Sequence, residues 1–501
     1  VTSHSADPSP APPPGCPAHT GRSADSGRSA HPGRVPLHGP EFAADPGRVY
    51  AHLRGWGPVA PVELAPGVPA TLVVGYDTAL EVLRDPATFA KDAREWQKGI
   101  PADCPVLPLM MYRPNCRNTD GEVHARLRAA VTDSLARVDL NALRDHVERT
   151  ADRLIRGFRG RGSADLVGQY ARALPLMVFN ELFGCPPDIG DRLVEGMSGI
   201  FDTVNAKNAN QVLRQAVLDL VTLKRREPGA DMTSWLMSHP VGLTDEEVMH
   251  QVLTLQGAGT EPEQNLIANG LRLLLSDDRF AGDLSGGSLP VEDALEEVLW
   301  TDPPLANFAI TYPVRDVDLA GVRLQKHQPV VISLAGANTD PSLSAGQRVG
   351  NRAHLAWSAG PHTCPAQGQA RLIASVAIEK LLDALPEMEL AVPADRLVWR
   401  PGPFHRALTE LPVRFPPVSV PEPARVPEAA RVPEQIRVPE QARVPDARMP
   451  GSDDRPWAGG DGVPVPAAVP PASAPDPALR GSASDEPRDP WSSLKRWWHG
   501  E

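Results

Sequence analysis

HLAWSAGPHTCPAQGQAR, residues 354–371, is the stretch on which the reading of this chain turns. Cys364 sits in it behind Gly360 and His362 and ahead of Pro365, and AQGQARLIASVAIEKLLDAL continues with helical periodicity. Proline suits the first position of a helix, where its missing N–H would be unpaired anyway. The sequence therefore predicts a helix over 366–385, opened by Pro365, with Cys364 at its positive end. Such an end favours a thiolate, the form that binds metals and attacks electrophiles. Gly360 permits a close backbone approach, and His362 brings a donor for an anion two residues before the sulfur. On these residues alone Cys364 reads either as a functional thiolate or as an inert buried cysteine. A zinc site built from His354, His362 and Cys364 has poor ligand spacing and no clear fourth ligand.

Composition narrows the classes. The chain has 501 residues, with 56 prolines and 41 glycines, and the prolines are concentrated near its ends, so a central block is predicted to carry the core. Residues 1–40 are rich in Pro, Ser, Gly and Ala, and are expected to form a disordered tail because they have too little apolar surface to offset ordering entropy. Residues 41–415 form the expected folded domain. From 416 to 501 the sequence is again Pro-rich and includes the six-residue copies ARVPEA, ARVPEQ, IRVPEQ and ARVPDA, which favour an extended, solvated chain. It ends in WSSLKRWWHGE, where Leu494, Trp497 and Trp498 would share one helical face, a pattern suited to docking on a membrane surface or partner and equally to an idle terminus. A formal net charge of -12 argues against a nucleic-acid partner. The five cysteines are scattered without a CxxC pair, which suggests neither a disulfide framework nor a four-cysteine zinc site. With no apolar run long enough to span a bilayer and no basic-then-apolar start, a cytoplasmic location is expected.

Helical patterning dominates the block. LTDEEVMHQVLTLQGAGTEPEQNLIANGLRLLLS opens with the capping-box pair Thr244 and Glu247 and stays apolar-periodic to Leu275. Its middle is weak: Gly257 and Gly259 each cost about 1 kcal/mol against alanine, and Pro262 cannot donate to the Ala258 carbonyl. A kink or opening is expected there, with that carbonyl free for water or ligand. Segments 76–84, 122–139, 142–158 and 291–300 also read as helices, while ATLVVGY, VDLAGVRL and PVVISLA are short strand-like pieces. The expected fold is mainly α with small β sections.

The cysteine stretch resembles the haem-binding signature of the cytochrome P450 family, aromatic-Gly-x-Gly-x-His/Arg-x-Cys-x-Gly before a helix. Ser358 and Ala366 stand where that pattern has glycine. The resemblance implies a P450 fold with a long central helix over haem b (iron protoporphyrin IX). It places Cys364 as the iron ligand, His362 at a haem propionate, and His124 and Arg128 of DGEVHARLRAAV at the propionates as well. YDTALEVLRDPATFAKD and YARALPLMVFNELFGCPPD resemble further family segments, so the likeness covers nearly all of 41–415. AGTEPEQNLIANG falls on the central helix, where the family usually has an acid followed by threonine to deliver protons during dioxygen activation. Here Glu261 keeps the acid and Pro262 replaces the alcohol, so an oxygen-activating groove of Ala258, Gly259, Glu261 and Pro262 is expected, its relay completed by water or a substrate hydroxyl.

In LEEVLWTDPP the family's Glu-x-x-Arg pair is read as Glu297 and Trp300, with Arg348 or Arg352 supplying the missing cation to a buried Glu297. This resembles a bacterial subgroup that lacks the arginine. Thr311 falls where many relatives carry a propionate-binding arginine. The resemblance implies a haem-thiolate monooxygenase acting on a small molecule. No nucleotide-binding GxGxxG follows a strand, so electrons are expected from a ferredoxin and ferredoxin reductase; Arg348, Arg352 and Arg371 read either as a docking site for an acidic carrier or as structural residues. The competing reading is a non-catalytic haem protein recruited through its C-terminal tail.

Overall fold

Thr244 starts the longest helix of the protein. Its hydroxyl accepts the Glu247 N–H at 3.2 Å while Glu247 Oε2 accepts the Thr244 N–H at 2.9 Å, so two end donors are satisfied reciprocally. The central helix then runs over Asp245–Ser276, about 48 Å, and the helical assignment is unbroken at Pro262. The computed structural model describes residues 33–201, 206–281, 291–343 and 351–418. Contacts divide the chain into the units Val1–Val420 and Pro421–Glu501, and all described residues fall in the first. The N-terminal tail before 33, the hexapeptide repeats, the Trp-rich end and Arg348 lie outside the described residues.

The central helix is the axis of the core. Its Ile267, Leu271 and Leu274 cluster with Val147, Ala151 and Ile155 of the helix Leu140–Phe158, Leu174 and Val178 of Ala173–Leu182, Val298 and Leu299 of Val291–Thr301, and Ala374, Ile378 and Leu381 of Gln367–Ala384. These side chains recur three and four apart, which is why the sequence shows them as helical stripes. Each fully buried aliphatic side chain contributes about 1.5–3 kcal/mol against exposure. The expected helices over 76–84, 122–139 and 142–158 form as Tyr76–Arg84, Gly121–Ala136 and Leu140–Phe158.

The strands are β1 (Val35–Pro36), β2 (Val59–Ala65), β3 (Val68–Val73), β4 (Phe89–Ala90), β5 (Ser163–Asp165), β6 (Asn307–Pro313), β7 (Val317–Leu319), β8 (Val322–Leu324), β9 (Val330–Ser333), β10 (Glu389–Leu390) and β11 (Pro412–Arg414). The largest sheet has the order β1-β2-β3-β9-β6-β4; β10-β11-β5 form a second, and β7-β8 a hairpin. β1 pairs with β2 in parallel and Leu37 is fully buried, so the folded block takes in residues that composition assigns to the tail. The protein is mainly α with small sheets. Among the described residues no helix is long and apolar enough to cross a membrane.

Candidate cofactor site

Cys364 closes a tight loop. Its N–H donates to the Trp357 carbonyl at 2.9 Å, the Ser358 N–H donates to Leu355 at 2.7 Å, and Gly360–His362 form a single 3-10 turn. Gly360 has φ +68°, and the Leu83 carbonyl stands where a Cβ would lie, so its close approach is to the helix 76–84. Ser358 adopts φ +63° without being glycine, a conformation that costs about 1–2 kcal/mol.

The helix after the cysteine starts at Gln367 with Ala366 as its N-cap, which leaves Pro365 outside it and corrects the expectation that Pro365 opens the helix. The chain turns once more before winding. Burial pushes the thiol up and outweighs the Ala366 N–H and the Arg128 charge, which pull it down, while Glu263 of the central helix pushes it further up. Burial thus works against the thiolate that the helix end favours. Burial also raises the Glu263 carboxyl well above its ordinary value.

The helix 121–136 is laced to this loop. His124, 6% exposed, has Nδ1 2.7 Å from the Cys116 carbonyl and Nε2 3.2 Å from the Pro361 carbonyl. Arg128, one turn on and so on the same face, donates to the Thr363 carbonyl. The His362 ring lies 4.1 Å from that of His124, and its Nε2 is 3.1 Å from Asp120 Oδ1. Burial pulls His362 below its ordinary value, against the Asp120 hydrogen bond, which raises it. The structure thus brings Cys364, His362, His124 and Arg128 together. Asp120 was not legible as a member: it lies 242 positions from its histidine and belongs to no local pattern.

These groups suit an iron porphyrin. One thiol is available for iron, and Arg128 and His362 keep donors for carboxylates, while His124 reaches one by exchanging a ring N–H now aimed at a backbone carbonyl. Trp357 Nε1 is buried without a partner. Ala258 is exposed in the middle of the central helix although Gln256, Thr260 and Glu261 around it are buried, so the helix borders open space there.

The remaining predicted residues lie on that helix. The Phe179 ring stands where a Cβ on Gly259 would be, so glycine at this position admits an aromatic side chain. Glu261, 7% exposed, accepts from Arg400 at 2.7 Å and from Asn265 at 3.3 Å, both on Oε1. Arg400, from the segment before β11, was not foreseen as its partner.

The Glu-x-x-Arg reading is shifted by one residue. Glu296, not Glu297, is the buried acid, 6% exposed, and it meets Arg371, His354 Nε2 at 3.3 Å and Arg352 Nε at 3.8 Å. Burial raises its carboxyl, but His354 and Arg371 overcome this and leave it below the ordinary value. Glu297 turns to Arg279 at 3.4 Å. Trp300 is packed at 4% exposure, and its indole N–H donates to the Asn351 carbonyl at 2.8 Å. Arg371 is thereby engaged inside the protein rather than presented for docking, and His354 faces Glu296 rather than a zinc site.

No family model matches the chain. Curated relatives do. The chain is 33% identical over 391 residues to the cytochrome P450 monooxygenase PikC of Streptomyces venezuelae, covering 75% of this chain and 92% of that one. It is 29% identical to 6-deoxyerythronolide B hydroxylase of Saccharopolyspora erythraea, covering 75% and 98%. Among solved structures it is similar to CYP154C4 from a Streptomyces species, with TM-score 0.70 and 30% identity over 76% of this chain and 98% of that one. CYP154A1 from Streptomyces coelicolor A3(2) gives TM-score 0.68 and 27% identity over 76% and 100%.

Proposed function

The chain belongs to the cytochrome P450 family of monooxygenases, and from that premise we propose that it is a haem b enzyme that hydroxylates a small organic molecule, drawing electrons from a separate ferredoxin and ferredoxin reductase. The observation that carries this reading is the convergence of Cys364, His362, His124 and Arg128 on one loop. Haem bound there would supply iron for dioxygen activation, with the Cys364 thiolate as the ligand that favours O–O cleavage. Cys364 is the ligand, and His124, Arg128 and His362 hold the propionates.

The chain's own part in proton delivery falls to the central helix. Pro262 lacks an N–H, so the Ala258 carbonyl has no partner four residues on and accepts from a water or a substrate hydroxyl. Glu261 has both its bonds on Oε1, which leaves Oε2 to pass a proton to that water. Arg400 and Asn265 position the acid, and Asn265 Oδ1 and Arg400 Nη1, both buried and without partners, offer further sites for ordered water.

The test is the absorption spectrum of the ferrous protein under carbon monoxide, followed by turnover with surrogate redox partners. A red-shifted Soret band of the thiolate type, lost in Cys364→Ala, and a hydroxylated product are expected. A histidine-type band would refute Cys364 as the ligand. Peroxide release with every ligand tried would favour a non-catalytic haem protein.

A further inference from the structure

Lys91 is a buried cation that nothing described so far employs. It follows β4, is 7% exposed, and its Nζ donates to the carbonyls of Ala309 and Ile310, each at 3.1 Å. β4 pairs antiparallel with β6, Phe89 opposite Pro313 and Ala90 opposite Tyr312, so one step further in this register sets Lys91 opposite Thr311. Residues directly opposite one another share a face of the sheet.

The strand it faces is irregular there. The pairing of β6 with β9 shifts between Phe308 and Thr311, and Ala309 takes φ +46°. The shift exposes the two carbonyls that the ammonium meets. Thr311 itself is 1% exposed, and its hydroxyl reaches back to Val330 at 3.4 Å.

Among the described residues no carboxylate lies within ion-pair distance of the Lys91 Nζ. The nearby acid, Asp120, accepts the Lys91 backbone N–H on Oδ2 at 2.6 Å and holds His362 on Oδ1. Arg117 adds a half-buried guanidinium whose Nε has no hydrogen-bond partner among the described residues. Burial pushes the lysine down to about 8, with Asp120 pulling it up and Arg117 pushing it further down, and its charge is felt at His362. A buried ammonium with a spare N–H, no carboxylate of its own and a place beside the His124–His362 pair needs an anion from outside the chain.

We infer that Lys91 is a haem-propionate anchor, reaching across the β4–β6 register to the position that a side chain longer than Thr311 would occupy. The inference rests on the haem reading above. A structural alternative is that Lys91 only clamps the β6 bulge, and Lys91→Gln, whose amide keeps two donors without the charge, separates the two when exchange at 309–312 shows the bulge intact.

The experiment follows haem transfer from the full-length holoprotein to a scavenging apoglobin, with amide hydrogen exchange of residues 309–312 alongside. Lys91→Gln and Lys91→Met are expected to release haem about tenfold faster or more, Lys91→Arg to hold it as the parent does, and Thr311→Arg to slow release in the Lys91→Gln background. Exchange at 309–312 in Lys91→Gln is expected to match the parent. Parental haem release in Lys91→Gln would overturn the inference. So would faster release accompanied by faster exchange at 309–312, or release that Thr311→Arg leaves untouched. The carbon-monoxide band of the parent reports on Cys364 separately, so failure here is distinct from failure of the haem-thiolate reading.

Discussion

Glu296→Gln isolates the pair that fastens the cysteine loop to the core. The wild-type carboxylate is surrounded by Arg352, Arg371 and His354, which have unequal weight. Arg352 has a side chain 68% exposed, so its share is about 0–1 kcal/mol. Arg371 at 24% and His354 at 0% are covered, and removing one partner of such a buried pair costs about 3–5 kcal/mol. The partial exposure of Arg371 puts the expected loss at the lower end, about 3 kcal/mol, or roughly a hundredfold in the ratio of folded to unfolded protein. The measurement is urea unfolding at pH 7 by circular dichroism, with parent and variant at equal haem occupancy. Acidification supplies the sign. The carboxyl lies below its ordinary value of 4.5 in the folded state, so its contribution is fully present above that pH and is lost as the pH falls through the folded value. The gap between parent and variant therefore closes below pH 4.5. Glu297→Gln, whose partner Arg279 is 57% exposed, is expected to cost under about 1 kcal/mol. If Glu297→Gln costs as much as Glu296→Gln, or the gap widens in acid, the assignment of the buried acid is wrong.

Ser358→Gly relieves the left-handed serine and is expected to stabilise the holoprotein by about 1 kcal/mol, read as a higher urea midpoint. Pro262→Thr returns an N–H to the Ala258 carbonyl and a hydroxyl to the groove; product formed per electron consumed is expected to rise, and peroxide to fall. Glu261→Ala removes the proposed relay and leaves Arg400 buried without its acid. Turnover is expected to fall by roughly tenfold or more with a rise in peroxide, and full coupled turnover would show that Glu261 serves only as the partner of Arg400.

Local chemistry was readable from sequence and long-range chemistry was not. The capping box of Thr244 and Glu247 and the apolar stripe of the central helix lie within a few residues, so they appear as patterns. His124 and Arg128 were placed by resemblance, and their spacing alone puts them on one face. Pro365 misled because a proline that could start a helix can equally precede its N-cap by one residue. Glu296 and Glu297 are adjacent acids, and only the rotation of their helix against Arg371 decides which is buried. Asp120 acts on a histidine 242 positions away, Lys91 on carbonyls 218 and 219 positions away and Arg400 on an acid 139 positions away, so no window of sequence contains both partners.

The segment carrying Arg400 has a consequence for how the protein is made. Arg400 joins Glu261, Arg406 joins Asp302, and β11 joins β5, so the late part of the block supplies partners to residues translated long before. Until it emerges, the Glu261 carboxylate of the central helix waits without its guanidinium. Any chain that stops short of this segment therefore carries the Glu261 carboxylate in its core without the Arg400 guanidinium it is buried against.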